Sequence, residues 1–68
     1  MVFKELMVGT RFRLLECLKR GNPPEPFGPV YNKVTPDLRG NCVEEGIWNE
    51  TRWRNFHYYL EVVELPLQ

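Results

Sequence analysis

Apolar and polar residues alternate in short runs along this chain, and turn-forming residues end each run before it reaches the length of a typical helix. The breaks are Gly9, RGNPPEPFGP at 20–29, TPDLRGN at 35–41 and EEG at 44–46. Between them lie TRFRLLECL (10–18), PVYNKV (29–34), NCVEE (41–45), IWNETRW (47–53) and YYLEVVEL (58–65). A strand turns successive side chains to opposite faces. Phe12 and Leu14 therefore face away from Arg11 and Arg13, Val30 and Val34 away from Tyr31 and Lys33, and Leu60 and Val62 away from Glu61. Five short strands separated by turn signals predict an all-β protein, a small five-stranded barrel forming one domain over residues 1–68.

Residues 10–20 fit two periods. Thr10 suits a helix N-cap, Leu14 and Leu18 stand four apart, Lys19 and Arg20 suit a last turn, and Gly21 follows. We favour strand, because a sheet built from the other segments needs a long first strand to close it. NPPEPFGP (22–29) is expected to be a structureless loop, since proline disfavours both helix and ladder pairing. NETRWRNF is expected to hold a short helical turn before the last strand, with Asn49 and Thr51 capping locally. VFKELMVG reads as an extended or single-turn lead-in that packs Phe3 and Leu6 on the barrel, and Pro66, Leu67 and Gln68 as a short tail.

Size changes how the aromatic residues are read. A chain of 68 residues buries only about 60% of the surface its unfolded form exposes. Large rings are the most effective filling for so thin a core. The stretch WNETRWRNFHYY (48–59) holds five of the nine aromatic residues, together with two arginines and the one histidine. Trp48, Phe56 and Tyr58 are assigned to the core. Arg52, Trp53, Arg54 and His57 are the candidates for contact with a partner, and Tyr31 and Lys33 on one face of the second strand extend that platform.

Formal net charge is zero but unevenly placed. Lys4, Arg11, Arg13, Lys19 and Arg20 outnumber Glu5 and Glu16 over residues 1–20, whereas Glu44, Glu45, Glu50, Glu61 and Glu64 outnumber Arg52 and Arg54 over 41–68. Such a distribution suits docking on a charged partner or on another copy. Cys17 and Cys42 match no zinc spacing with His57 and read as small, reduced core residues. The charged N-terminus does not resemble a secretory leader, and no run approaches the roughly 18 apolar residues of a membrane span. A cytoplasmic protein is expected, in which the sequon at Asn49 carries no sugar.

The pattern Phe3-x-x-Leu6-x-x-Gly9-x-x-Phe12, followed by VYNKV (30–34) and a closing LEVVEL (60–65), resembles small SH3-like barrel proteins encoded by phages and other mobile elements. In those proteins the Leu-x-x-Gly-x-x-Phe stretch leads into the first strand, a Tyr-x-Lys strand follows, and a valine-rich strand closes the barrel. The resemblance implies a fold and a kind of genome. The proline-rich loop at 22–29 and the Trp/Arg stretch depart from it.

Catalytic chemistry finds little to work with. The chain has one histidine, no serine, and no motif that would activate either cysteine. Glu44 and Glu45 are adjacent and would point to opposite faces of a strand, so they do not form a close acid–base pair. Neither RGN (20–22 and 39–41) opens a glycine-rich phosphate loop. No enzyme activity, metal or cofactor is expected. The expected role is that of a non-enzymatic adaptor or inhibitor docking on another protein, because tryptophan and arginine dominate protein interfaces and zero net charge disfavours a phosphate backbone. Single-stranded nucleic acid stacked on the same residues is the second reading, and a structural homo-oligomer associating through an open edge such as LEVVEL is the third.

Overall fold

A computed structural model describes residues 1–46 and 52–66. The chain forms seven short strands: β1 (Arg11–Leu14), β2 (Leu18–Lys19), β3 (Glu25–Pro26), β4 (Tyr31–Asp37), β5 (Gly40–Glu44), β6 (Arg52–Arg54) and β7 (Val62–Glu64). Five of them make one antiparallel sheet in the order β6-β5-β4-β1-β7, and β2 and β3 form a separate hairpin. The protein is thus mostly β, as expected. The large sheet is open, with β6 at one edge and β7 at the other.

The alternation read from sequence governs which residues meet. Phe12 stands opposite Tyr31, Tyr31 opposite Glu44, Lys33 opposite Cys42, and Leu14 opposite Val62. One face therefore carries Phe12, Leu14, Tyr31, Cys42 and Val62 together. Phe3, Leu6, Phe12, Tyr31, Cys42 and Val62 are buried, with Leu14, Phe56 and Leu60 packed against them. The cover of this face is the N-terminal segment, which brings Phe3 and Leu6, and the 55–61 loop, which brings Phe56 and Leu60. Four rings interlock at the centre, with Phe3 to Phe12 at 5.4 Å, Phe12 to Tyr31 at 5.5 Å and Tyr31 edge-on to Phe56 at 5.0 Å. Each such pair adds about 0.5–1.5 kcal/mol beyond the area it buries.

The helix–strand ambiguity at 10–20 resolves in pieces. Arg11–Leu14 is strand, Leu15–Cys17 a single 3-10 turn and Leu18–Lys19 strand again. Strand pairing wins over helical spacing because Phe12 and Leu14 find core partners on both neighbouring strands. The lead-in is the expected single turn, at Phe3–Glu5, with Phe3 and Leu6 packed inward. The proline-rich loop is more ordered than expected, since Glu25 and Pro26 pair with Lys19 and Leu18. Proline lacks only the donor, and the neighbouring Phe27 N–H supplies one to the Cys17 carbonyl at 2.8 Å. The helical turn expected before the last strand is not found over 52–61, where Arg52–Arg54 is strand. Trp48 in the core, the strand start at 47, the caps Asn49 and Thr51, and the tail residues 67 and 68 lie outside the described residues. Cys17 and Cys42 are free thiols, half-buried and buried respectively.

Side chains fasten the cover onto the sheet. The Lys33 ammonium donates to the carbonyls of Phe3 at 2.9 Å and Leu6 at 2.6 Å, and lies 4.7 Å from the centre of the Phe3 ring. Buried Asn41 closes two hydrogen bonds with the backbone of Phe56: its Nδ2 donates to the Phe56 carbonyl at 2.8 Å and its Oδ1 accepts the Phe56 N–H at 2.9 Å. The amide side chain imitates one rung of a strand pair just past the end of β6. Gly40 beside it has φ +153°, and a Cβ there would come within 2.3 Å of the Arg54 carbonyl oxygen, so β5 and β6 approach this closely only with glycine. On the outer face Arg11 pairs with Glu45 at 2.8 Å, and Asn32 donates to the same carboxylate at 2.7 Å.

Two predictions follow from these contacts. Asn41→Asp removes the donor and sets a carboxylate against the Phe56 carbonyl, so denaturant unfolding should show a loss of about 1–3 kcal/mol or more. Stability should also fall at both ends of the pH range. The Arg11 guanidinium holds the Glu45 carboxyl below the usual range, so its contribution is present above that range and is lost as pH falls through the lowered value. Burial pushes the Cys42 thiol up to about 11 and the Tyr31 phenol above its ordinary value, so both ionise more easily unfolded, and stability declines as pH rises from the ordinary thiol value towards 11. Unfolding measured across pH should show the acid arm flattened in Glu45→Gln and the alkaline arm reduced in Cys42→Ala.

Candidate docking surface

The six residues singled out in the sequence separate into three places. Tyr31 is in the core, 3% exposed, between Phe12 and Phe56. Lys33 is half-buried and its ammonium is held by two carbonyls. Neither reaches a common platform with the residues of β6. On β6, Arg52 stands opposite Glu44 and Arg54 opposite Cys42, so both arginines project on the core face of the sheet, and both are exposed. Trp53 between them projects from the other face, where the Arg39 guanidinium lies 4.1 Å from its ring centre. Asp37 holds Arg39 in turn, accepting from its guanidinium at 2.8 Å and from its N–H at 2.7 Å across the two-residue turn of the β4–β5 hairpin. The two-residue period that shaped the sheet thus divides Arg52, Trp53 and Arg54, which the sequence reading had grouped on one surface.

His57 is exposed, and the surface around it was only partly anticipated. Tyr58, expected in the core, is 58% exposed, and Tyr59 is 64% exposed. The cause is local. The Leu60 N–H donates to the His57 carbonyl at 3.1 Å, which makes Tyr58 and Tyr59 the two central residues of a β-turn. Side chains at those positions point away from the chain ends that the turn joins, so both rings stand in solvent. Two adjacent tyrosines before a leucine are the sequence signal that was available, because no strand buries neighbouring side chains on one face.

This turn is held from several sides. Lys4 and Phe3 donate their N–H groups to the carbonyls of Tyr58 and Leu60, both at 2.8 Å. Asn41 fixes Phe56 by the two bonds described above. The Tyr59 N–H donates to His57 Nδ1 at 3.2 Å, and the His57 and Tyr59 rings lie 5.6 Å apart. The Lys4 ammonium is 5.8 Å from the Tyr59 ring centre, and the Arg54 guanidinium 5.4 Å from that of Phe56. An open hollow of about 340 Å³ lies on one side of the turn, lined by Pro36, Asn41, Asn55, Phe56, His57 and Tyr58. Another of about 380 Å³ lies on the other side, lined by Leu15, Glu16, Tyr59, Leu60 and Glu61. The tyrosines form a ridge between two shallow depressions, on a backbone already fixed in place.

Chemically this surface can stack, insert and donate hydrogen bonds. Among the described residues no three histidine, cysteine or acidic side chains converge as metal ligands, and no helix is long and apolar enough to cross a membrane. The chain matches no known protein family, characterised protein or solved structure. The double variant Tyr58→Ser, Tyr59→Ser should keep its stability within about 0.5 kcal/mol, because the rings it removes are solvated, whereas Tyr31→Ala should lose about 3–5 kcal/mol. Thermal melts of the two variants beside the parent chain check the division.

Proposed function

We propose that this chain is a small non-enzymatic protein-binding module that docks on another protein through the Tyr58–Tyr59 turn, with His57 and Arg54 beside it. The observation that carries the reading is the pair of exposed tyrosines on a turn tied down by Asn41, Phe3 and Lys4. Tyrosine and arginine are enriched at the energetic centres of protein interfaces. A pre-fixed backbone lowers the ordering cost of binding, so a small contact area can still be effective. The adaptor or inhibitor role fits a chain in which the rings of Phe3, Phe12, Tyr31 and Phe56 are committed to the core and those of Tyr58 and Tyr59 are not. Five short antiparallel strands, with β1, β4, β5 and β6 consecutive neighbours and β7 returning to the free side of β1, support reading the architecture as SH3-like.

Acidic Glu16 and Glu61 line the hollow beside Tyr59, and the net charge is zero, which favours a protein over a phosphate backbone. The test is capture from a lysate of the source cells by the immobilised chain and by its Tyr58→Ser, Tyr59→Ser variant, with mass-spectrometric identification. The expected result is a defined protein retained by the parent chain and lost by the folded variant. Equal retention by both would overturn the reading. So would tryptophan quenching by short single-stranded DNA or RNA that is strong at low salt and fades at about 200 mM, which is the behaviour of a nucleic-acid binder.

A further inference from the structure

The two edges of the large sheet are finished differently. The outer side of β7 is blocked at both ends: at its start Val2 pairs with Glu61 and the Val62 N–H donates to the Met1 carbonyl at 2.9 Å, and at its close the strand runs into Pro66, which has no donor. Covering and proline are two of the ways in which natural sheets block further pairing. Among the described residues nothing pairs with the outer side of β6.

The register shows what that edge offers. The Glu45 N–H bonds to the Val30 carbonyl across β4, so the two-residue period turns the backbone groups of Glu44 and Cys42 the other way, towards β6. Their partners Arg52 and Arg54 complete those pairs, which leaves the N–H and C=O of Trp53 facing outward. The edge is stiff, because Trp53 is stacked under Arg39, Gly40 lets β5 close on Arg54, and Asn41 clamps Phe56. Its side chains carry a definite charge. Arg52 and Arg54 are exposed on one face, two residues and roughly 6.5 Å apart, and among the described residues neither has a carboxylate within ion-pair distance.

We infer that β6 is a docking edge for an extended acidic segment of a partner protein, added as an antiparallel strand with carboxylates at alternate positions opposite Arg52 and Arg54. Backbone bonds to Trp53 hold the segment, and the alternate carboxylates select it. Two β6 edges from separate copies would set arginine against arginine, and the β7 edge of a folded copy is already blocked at Val62 and Pro66, so a second copy is not the occupant. This inference rests on the protein-binding reading and names the chemistry of the partner, since β6 leads straight into the Asn55–Tyr59 surface.

The test uses the whole chain and a fluorescein-labelled ten-residue peptide alternating glutamate with threonine and valine, followed by anisotropy and by hydrogen exchange at the Trp53 amide. Binding is expected together with slower exchange at Trp53. The same peptide N-methylated at every second residue, and a version with lysine for glutamate, should not bind. Arg52→Glu and Arg54→Glu should each weaken binding by roughly tenfold at low salt. Equal affinity for the N-methylated peptide, or unchanged exchange at Trp53, would overturn the inference. Exchange at Trp53 that slows with protein concentration alone would also overturn it, in favour of self-association. If the Tyr58/Tyr59 variant loses its captured protein while Trp53 exchange never responds to the peptide, the docking turn stands and the β6 edge falls.

Discussion

The two hydrogen bonds between the Asn41 side chain and the Phe56 backbone are the constraint on which the rest of the structure depends. They act where β6 has ended and the chain must leave the sheet, cross the open face of the core and return as β7. By standing in for a strand neighbour, one buried amide keeps the backbone in register for two residues past the last ladder pair. Phe56 is thereby delivered onto Tyr31 and Phe12, and the same turn of chain that completes the core lifts Tyr58 and Tyr59 out of it. Burial and presentation are consequences of a single anchor.

The fold shows how a very small β protein finishes the core of its large sheet with irregular segments. One face of five short strands is apolar, and irregular segments from both sides of the sequence lie across it. Irregular backbone over a core leaves carbonyls that need donors. Lys33 supplies two of them, and its charge is thereby taken up in the architecture. The same economy places Arg11, Asn32 and Glu45 in one outer-face cluster, drawing together the basic early part of the chain and the acidic later part.

Much of this was legible in the sequence wherever a residue's fate depends on the two-residue period. Phe12 and Leu14 inward, Arg11 and Arg13 on the opposite face, and the turn at 35–41 follow from alternation and turn chemistry alone. The candidate surface was harder, because composition groups residues that geometry separates. Arg52, Trp53 and Arg54 are neighbours in sequence and hence on opposite faces in a strand. Tyr31 and Lys33 look like a platform, yet one ring is core and one ammonium serves the lead-in turn. Asn41 left no separable signal: between glycine and cysteine in GNC it reads as part of a turn, and only the approach of Phe56 from a distant segment gives its side chain a partner. The pairing of Pro26 was hidden for a related reason, since the missing donor is supplied by its neighbour.

The place of β1 between β4 and β7 has a consequence for how the chain reaches this state. A strand near the start of the sequence is completed by residues near its end, and Met1, Phe3 and Lys4 bond to Val62, Leu60 and Tyr58. Such pairings join positions some fifty residues apart, so loop-closure entropy must be met before they contribute. Domains dominated by distant pairings fold on the millisecond-to-second scale rather than in microseconds. During synthesis, the β4–β5 hairpin is the piece that can form early, while Phe12 waits with one flank uncovered until Val62 has been added. The protein is therefore most vulnerable to misassociation in the interval before its last strand arrives.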